Sequence, residues 1–149
     1  MTDPLARPLL CPILIGRERD VATVREVIGQ RAGPHVVAVV GDAGVGKSAL
    51  IRDHVRPGRI VDVGCCTGAL LQQLTRDGRL RESDFYGIEL ARPLYEECLH
   101  RKQQRAFATD HVFFYQANVA ESALFAPGSV DTFTTFSLTH ELESYQGRE

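Results

Sequence analysis

The sequence predicts an α/β fold: an open parallel sheet with helices on both faces. Two observations carry this. Short apolar runs alternate with helix-length stretches along the chain, the pattern of crossover units whose strands run parallel. Two of these runs, His35-Val-Val-Ala-Val-Val40 and Ile60-Val-Asp-Val63, pass directly into glycine-rich turns followed by helical sequence. A strand, a glycine turn and a helix in series bring backbone N–H groups to a bound ligand. At 149 residues there is room for one domain and one core.

The elements follow in the order helix, strand, helix, strand, helix, strand, helix, strand, strand, helix. Helices are expected near Arg19–Gln30, Lys47–Val55, Ala69–Arg76, Pro93–Ala106 and Leu138–Ser144. Pro93 suits a first helical turn, where its missing N–H has no intrahelical partner to lose. Strands are expected at 36–40, 60–63, 84–88, 112–116 and 130–136. Val36–Val40 is apolar on both faces, as a central parallel strand should be. Ala120 to Ser129, with Pro127-Gly128, reads as a loop. Arg56-Pro57-Gly58 marks a boundary between residues 1–56 and 57–149.

Chemistry concentrates in two glycine turns. The second runs Ile60-Val-Asp62-Val-Gly64-Cys-Cys66-Thr-Gly68-Ala-Leu, and the strand after it, Phe85-Tyr-Gly-Ile88, ends on an acid, Glu89. A dinucleotide loop would space its glycines Gly-x-Gly-x-x-Gly to seat a pyrophosphate. Asp62, Gly64, Cys66 and Gly68 instead follow Asp-x-Gly-x-x-x-Gly, with cysteine at the middle position. An acid two residues before the first glycine suits a ligand carrying a positive amine. A carboxylate at the end of the next strand suits ribose hydroxyls.

From about Arg59 to the C-terminus, this segment resembles the class I S-adenosylmethionine-dependent methyltransferases. The resemblance implies an open parallel three-layer Rossmann-like sheet and S-adenosylmethionine as cofactor. It places Asp62, Gly64, Cys66 and Gly68 in the cofactor loop and Glu89 on the ribose. Asn118 and Val119, after His111-Val-Phe-Phe-Tyr-Gln116, stand where the family contacts adenine. An amide oxygen can accept the adenine amino protons. Ser129-Val-Asp131-Thr-Phe-Thr-Thr-Phe136-Ser137 fits the fourth strand. Thr139-His140-Glu141 follows it at the carboxyl edge, where His140 could deprotonate an acceptor or the triplet could simply open a helix. No catalytic residue is assigned, and the methyl acceptor is not identified by the sequence.

The first turn, Gly41-Asp-Ala-Gly-Val-Gly46-Lys47-Ser48, has the phosphate-loop spacing Gly-x-x-x-x-Gly-Lys-Ser. In that reading Gly41 and Gly46 shape a ring of N–H groups, Lys47 reaches the outer phosphates of ATP and Ser48 holds magnesium. With Ile13-Leu-Ile-Gly16-Arg17-Glu18 ahead of it, the stretch from about Leu14 to His54 resembles signal-transducing AAA-type ATPases. The resemblance stops there, with no second strand ending in acids to order magnesium and water. ATP binding is therefore expected to be weak and turnover absent. The function expected first is that of an S-adenosylmethionine-dependent methyltransferase, complete or incomplete, active or inactive; the alternatives are a P-loop ATP-binding protein or ATPase fragment of a bacterial regulator, and a fusion that binds neither ligand.

Two first strands in one short chain suggest an ATPase-like opening segment joined to a methyltransferase-like sheet truncated after its fourth strand. The topology that the methyltransferase resemblance implies sets 130–136 beside 60–63, so the expected strand order is 112–116, 84–88, 60–63, 130–136, 36–40, with 36–40 filling the slot beside 130–136. An uncovered edge there would favour self-association.

Composition narrows the partners. Hydrophobic residues make up 44% and charged residues 24%, with a formal net charge of −2. That balance gives no general drive toward nucleic acid or acidic membranes. No apolar run is long enough to span a bilayer. Residues 4–15 are broken by Pro4, Pro8 and Pro12 and lack a basic signal-peptide start, so a cytoplasmic protein is expected. Cys11, Cys65, Cys66 and Cys98 show neither metal spacing nor the density of a disulfide framework.

Overall fold

A computed structural model describes residues 18–29 and 47–135. The chain divides into two compact units, Met1–His54 and Val55–Glu149. The first contains α1 (Glu18–Gly29) and α2 (Lys47–Arg52). In α1 the Thr23 hydroxyl donates back to the Arg19 carbonyl, 2.9 Å away. In α2, Leu50 is buried. The strand expected at 36–40 lies outside the described residues, and so does its pairing with 130–136.

The second unit contains β1 (Arg59–Val63), α3 (Ala69–Leu74), a 3₁₀ turn (Gly78–Leu80), β2 (Asp84–Glu89), α4 (Arg92–Gln103), β3 (Val112–Gln116) and β4 (Thr132–Thr135). The four strands form one parallel sheet in the order β3-β2-β1-β4. This is the order expected for 112–116, 84–88, 60–63 and 130–136, and it is the Rossmann-type order that reverses at β1. The reversal leaves a crevice at the carboxyl ends of β1 and β4, where open α/β sheets hold their ligands.

The register explains which residues are buried. Ile60 pairs with Phe85, and Phe85 with Val112, and all three are buried. They share their face of the sheet with Asp62, Gly87 and Phe114, the next residues of that side-chain period. Leu71 and Leu74 of α3 and Cys98 of α4 are also buried. On the other face, Val61, Val63 and Ile88 make a buried cluster flanked by Tyr86, Ala117, Phe125 and Val130. Tyr86 stacks on Phe113 with ring centroids 5.2 Å apart and meets Phe125 edge-on, also at 5.2 Å.

Several elements are shorter than expected, each for a local reason. α3 ends at Leu74 rather than Arg76, because the backbone tightens there: the Arg76 and Asp77 N–H groups donate to the Gln73 and Leu74 carbonyls, three residues back, at 3.2 and 3.0 Å. α4 starts at Arg92 with Pro93 in its first turn and stops at Gln103. Arg105 just beyond it is left-handed at φ 55°, which ends helical bonding. The 3₁₀ turn is not visible in the sequence pattern; Asp77 caps it by accepting the Arg79 N–H at 3.0 Å.

The two strands flanking the crevice are tied together at both ends. At the amino end, the Asp131 carboxylate accepts the Arg59 N–H at 2.8 Å. It also crowds Gly58, whose φ of 122° belongs to glycine. At the carboxyl end, Thr134 pairs with Asp62 across the ladder. No helix among the described residues is long and apolar enough to cross a membrane.

Candidate functional site

The glycine turn between β1 and α3 is built on left-handed backbone. Gly64, Cys66 and Gly68 have φ of 66°, 55° and 72°. Alternating left-handed residues fold the loop tightly over the end of β2: the N–H groups of Gly64 and Cys65 both donate to the Ile88 carbonyl, at 2.9 and 3.2 Å. Gly68 then caps α3 and its N–H donates to the Cys65 carbonyl at 2.8 Å. A Cβ on Gly68 would sit 3.2 Å from the Phe114 ring and 3.3 Å from Phe107, so this position is doubly restricted, by conformation and by space. Cysteine at 66 therefore carries a side chain in a conformation that costs L-residues about 1 kcal/mol or more. Its thiol is exposed.

Glu89 is the hub of the loop. It is only 8% exposed. One carboxylate oxygen accepts the Cys66 N–H at 2.9 Å and the other accepts the Ala91 N–H at 2.9 Å. The acid thus clamps the middle of the glycine loop to the start of α4. Each oxygen keeps further acceptor capacity.

Asp62 lies within β1 and is buried there. It is 2% exposed, and its Oδ1 accepts the Thr134 hydroxyl at 2.8 Å. Burial pushes its carboxyl up to about 7; the Thr134 hydrogen bond works against this rise and the nearby Glu89 adds to it. At neutral pH, Asp62 is therefore poised between its neutral and ionised forms.

Helix α4 holds the outer wall of the loop. The Cys98 thiol donates to the Cys66 carbonyl at 3.1 Å. The Arg101 guanidinium donates to the Thr67 carbonyl and, at 2.6 Å, to Gln72 Oε1. These attachments had no signature in the sequence, because Cys98 and Arg101 reach the loop only through the crossover that returns α4 over the sheet. Gly87 was equally silent. A Cβ there would lie 2.6 Å from Phe114 and 2.8 Å from Cys65 Sγ, so its bareness lets the loop seat on β2.

The structure brings Asp62, Gly64, Cys66, Gly68 and Glu89 together at one end of the sheet. Asn118 and Val119 follow β3, and Asn118 is engaged in a turn. Its Oδ1 accepts the Ala120 N–H at 3.0 Å and its Nδ2 donates to Glu121 at 2.9 Å. Of the phosphate-loop residues, Gly41 and Gly46 lie outside the described residues, while Lys47 and Ser48 open α2. His140 and its neighbours also lie outside them. Among the described residues, no cluster of histidine, cysteine and carboxylate side chains could hold a metal ion.

Comparison with known proteins matches residues 60–148 to the methyltransferase domain family. The chain is similar to the disease resistance protein RGA5 of Oryza sativa subsp. japonica, 29% identical over 159 residues, covering 95% of this chain and 14% of that protein. Among solved structures it is similar to a SAM-dependent methyltransferase from Thiobacillus denitrificans in complex with S-adenosyl-L-homocysteine. That pair is 21% identical over 61% of this chain and 36% of the other, with a TM-score of 0.48. A TehB-like SAM-dependent methyltransferase from Corynebacterium glutamicum shares 17% identity over 84% of this chain and 56% of that one, also with a TM-score of 0.48. The chain thus spans only part of the length of each of these proteins. With the family matched across most of the second unit, the chain belongs to the methyltransferase domain family.

Proposed function

We propose that residues 57–149 bind S-adenosylmethionine at the carboxyl edge of the sheet and serve methyl transfer to an acceptor. The observation that carries this reading is the clamp of the glycine loop by Glu89, whose two oxygens hold Cys66 and Ala91 at 2.9 Å. A carboxylate fixed in that way faces a ligand with acceptors already aimed. The donor and acceptor chemistry fits the cofactor: a nearly buried acid for ribose hydroxyls, left-handed backbone that admits close approach, and a second acid, Asp62, for an amine. The bound cofactor would supply a methyl group activated on a sulfonium.

The roles follow from position. Gly64, Cys66 and Gly68 would let the ligand pass close to the backbone, with Gly68 barred from a larger side chain by Phe107 and Phe114. Glu89 would accept ribose hydroxyls while retaining its N–H donors. Asp62 would pair with the cofactor amine, shedding its proton as the cation arrives. Asn118 would have to trade a turn hydrogen bond for adenine, and Val119 would pack beside it. The protein's share of the chemistry is to orient donor and acceptor and to exclude water. The deciding experiment is calorimetric titration of S-adenosylhomocysteine into the wild type and Glu89→Ala. Binding that is indifferent to the substitution sinks the site assignment.

A further inference from the structure

Among the described residues, Thr134 alone hydrogen-bonds the Asp62 carboxylate. The two residues face each other across the β1–β4 ladder, where the strand order reverses. Side chains opposed in this way lie on one face of the sheet, within reach of each other. The Thr134 hydroxyl donates to Asp62 Oδ1 at 2.8 Å, while its other acceptor, the Val61 carbonyl, lies at 3.4 Å. Its one hydrogen is therefore committed to the carboxylate. Thr132, two residues earlier on the same face, is differently employed. Its hydroxyl accepts the Arg56 N–H at 3.0 Å and donates to the Arg56 carbonyl at 3.2 Å. Thr134 is only 6% exposed, so it acts on a ligand through its partner.

The electrostatics give that partner a task. Asp62 is nearly as deeply buried as the apolar core, and none of the groups that shift its carboxyl is a cation: burial and Glu89 push it up, against the Thr134 hydrogen bond. A buried carboxylate is costly until a countercharge meets it. With Oδ1 taken by Thr134, Oδ2 is the oxygen left for that countercharge. The hydroxyl thus fixes the rotation of the carboxylate and favours its ionised form over the neutral one.

We propose that Thr134 is a positioning residue for amine recognition: by holding Oδ1 of Asp62, it reserves Oδ2 for the ammonium group of a ligand bound at the glycine loop. The identity of that ligand rests on the cofactor reading above. The proposal goes further in adding β4 to the site. It also limits Thr134 to the amino-acid end of the cofactor, with no part in holding ribose or adenine.

The test is calorimetric titration of two ligands into the full chain at pH 8. S-adenosylhomocysteine carries the amine. Methylthioadenosine keeps the adenine, ribose and thioether but lacks it. Thr134→Val preserves the shape of the side chain and removes the donor, whereas Thr134→Ser preserves the donor. The valine variant should bind S-adenosylhomocysteine about tenfold more weakly, the size of one lost hydrogen bond to a charged group, and methylthioadenosine as tightly as the wild type. The serine variant should bind both ligands as the wild type does. If the valine variant does not fold, Thr134→Ala takes its place. Unchanged S-adenosylhomocysteine affinity in the variant without the donor, an equal loss for both ligands, or a loss that serine does not restore would overturn the proposal and leave the cofactor reading intact. A wild type that binds neither ligand refutes the cofactor reading, and the role of Thr134 with it.

Discussion

Replacing Glu89 by alanine removes one acceptor from two backbone N–H groups at once, those of Cys66 and Ala91. Each is a hydrogen bond to a charged group, worth about 1.5–3 kcal/mol when its donor is left without a partner. Glu89 is 8% exposed, so water can reach part of the gap and the two losses will not add fully. A folding cost of about 2–4 kcal/mol follows. In a unit of this size, each kcal/mol lowers the melting temperature by about 4–8 °C, and a drop of about 10 °C or more is expected. Ligand affinity should fall separately. Loss of the ribose contact costs about 1–3 kcal/mol, or roughly 5- to 150-fold in Kd. Glu89→Gln separates the two effects, since one amide oxygen can serve one N–H while the amide NH2 opposes the other. It should lose about half the stability of the alanine variant and still bind. Differential scanning calorimetry and titration with S-adenosylhomocysteine read both quantities. If Glu89→Ala melts lower but binds as tightly as the wild type, the acid is only a loop clamp. If its melting point is unchanged, the clamp itself is wrong.

Asp62 supplies a pH signature. Its carboxyl is raised from 3.8 to about 7 in the fold, so between these values the folded state keeps a proton that the unfolded state has lost. Stability should therefore decline as pH rises from about 4 to about 7 and level off above, by a few kcal/mol at most; Asp62→Asn should flatten that profile in denaturant titrations, and a slope unaltered by the substitution refutes the assignment. Thr134→Val should remove the hydroxyl donated to Asp62 at 2.8 Å, costing about 1–3 kcal/mol above pH 7 and much less at pH 5, where Asp62 is protonated. Cys66→Gly should raise stability modestly, by about 0.5 kcal/mol, because relief of left-handed strain exceeds the added chain entropy; a lower melting point would mean that the thiol packs. Gly87→Ala places a Cβ 2.6 Å from Phe114 and should destabilise by about 1–3 kcal/mol through overpacking, which urea unfolding will measure.

The sequence by itself determined the alternation of strand and helix, the glycine turn and the acid that faces it. These are local signals. Ile60-Val-Asp-Val63 is apolar enough to be buried on both faces, and Gly64 and Gly68 fall where the chain must turn left-handed. The order β3-β2-β1-β4 was legible only through the resemblance to the methyltransferase family, whose topology sets the fourth strand beside the first. Tertiary structure alone decided what these residues do to one another. Asp62 reads in the sequence as an acid for a ligand's amine, yet pairing of β1 with β4 buries it against Thr134, 72 residues away. Asn118 reads as a ligand contact and is engaged by its own turn. Cys98, Arg101 and Gly87 gave no pattern at all, since their contacts with the loop arise from the packing of α4 and β2 against it. Periodicity and turn chemistry are encoded within a few residues, whereas burial, and the charge state that burial imposes, is set by neighbours that only the folded chain brings together.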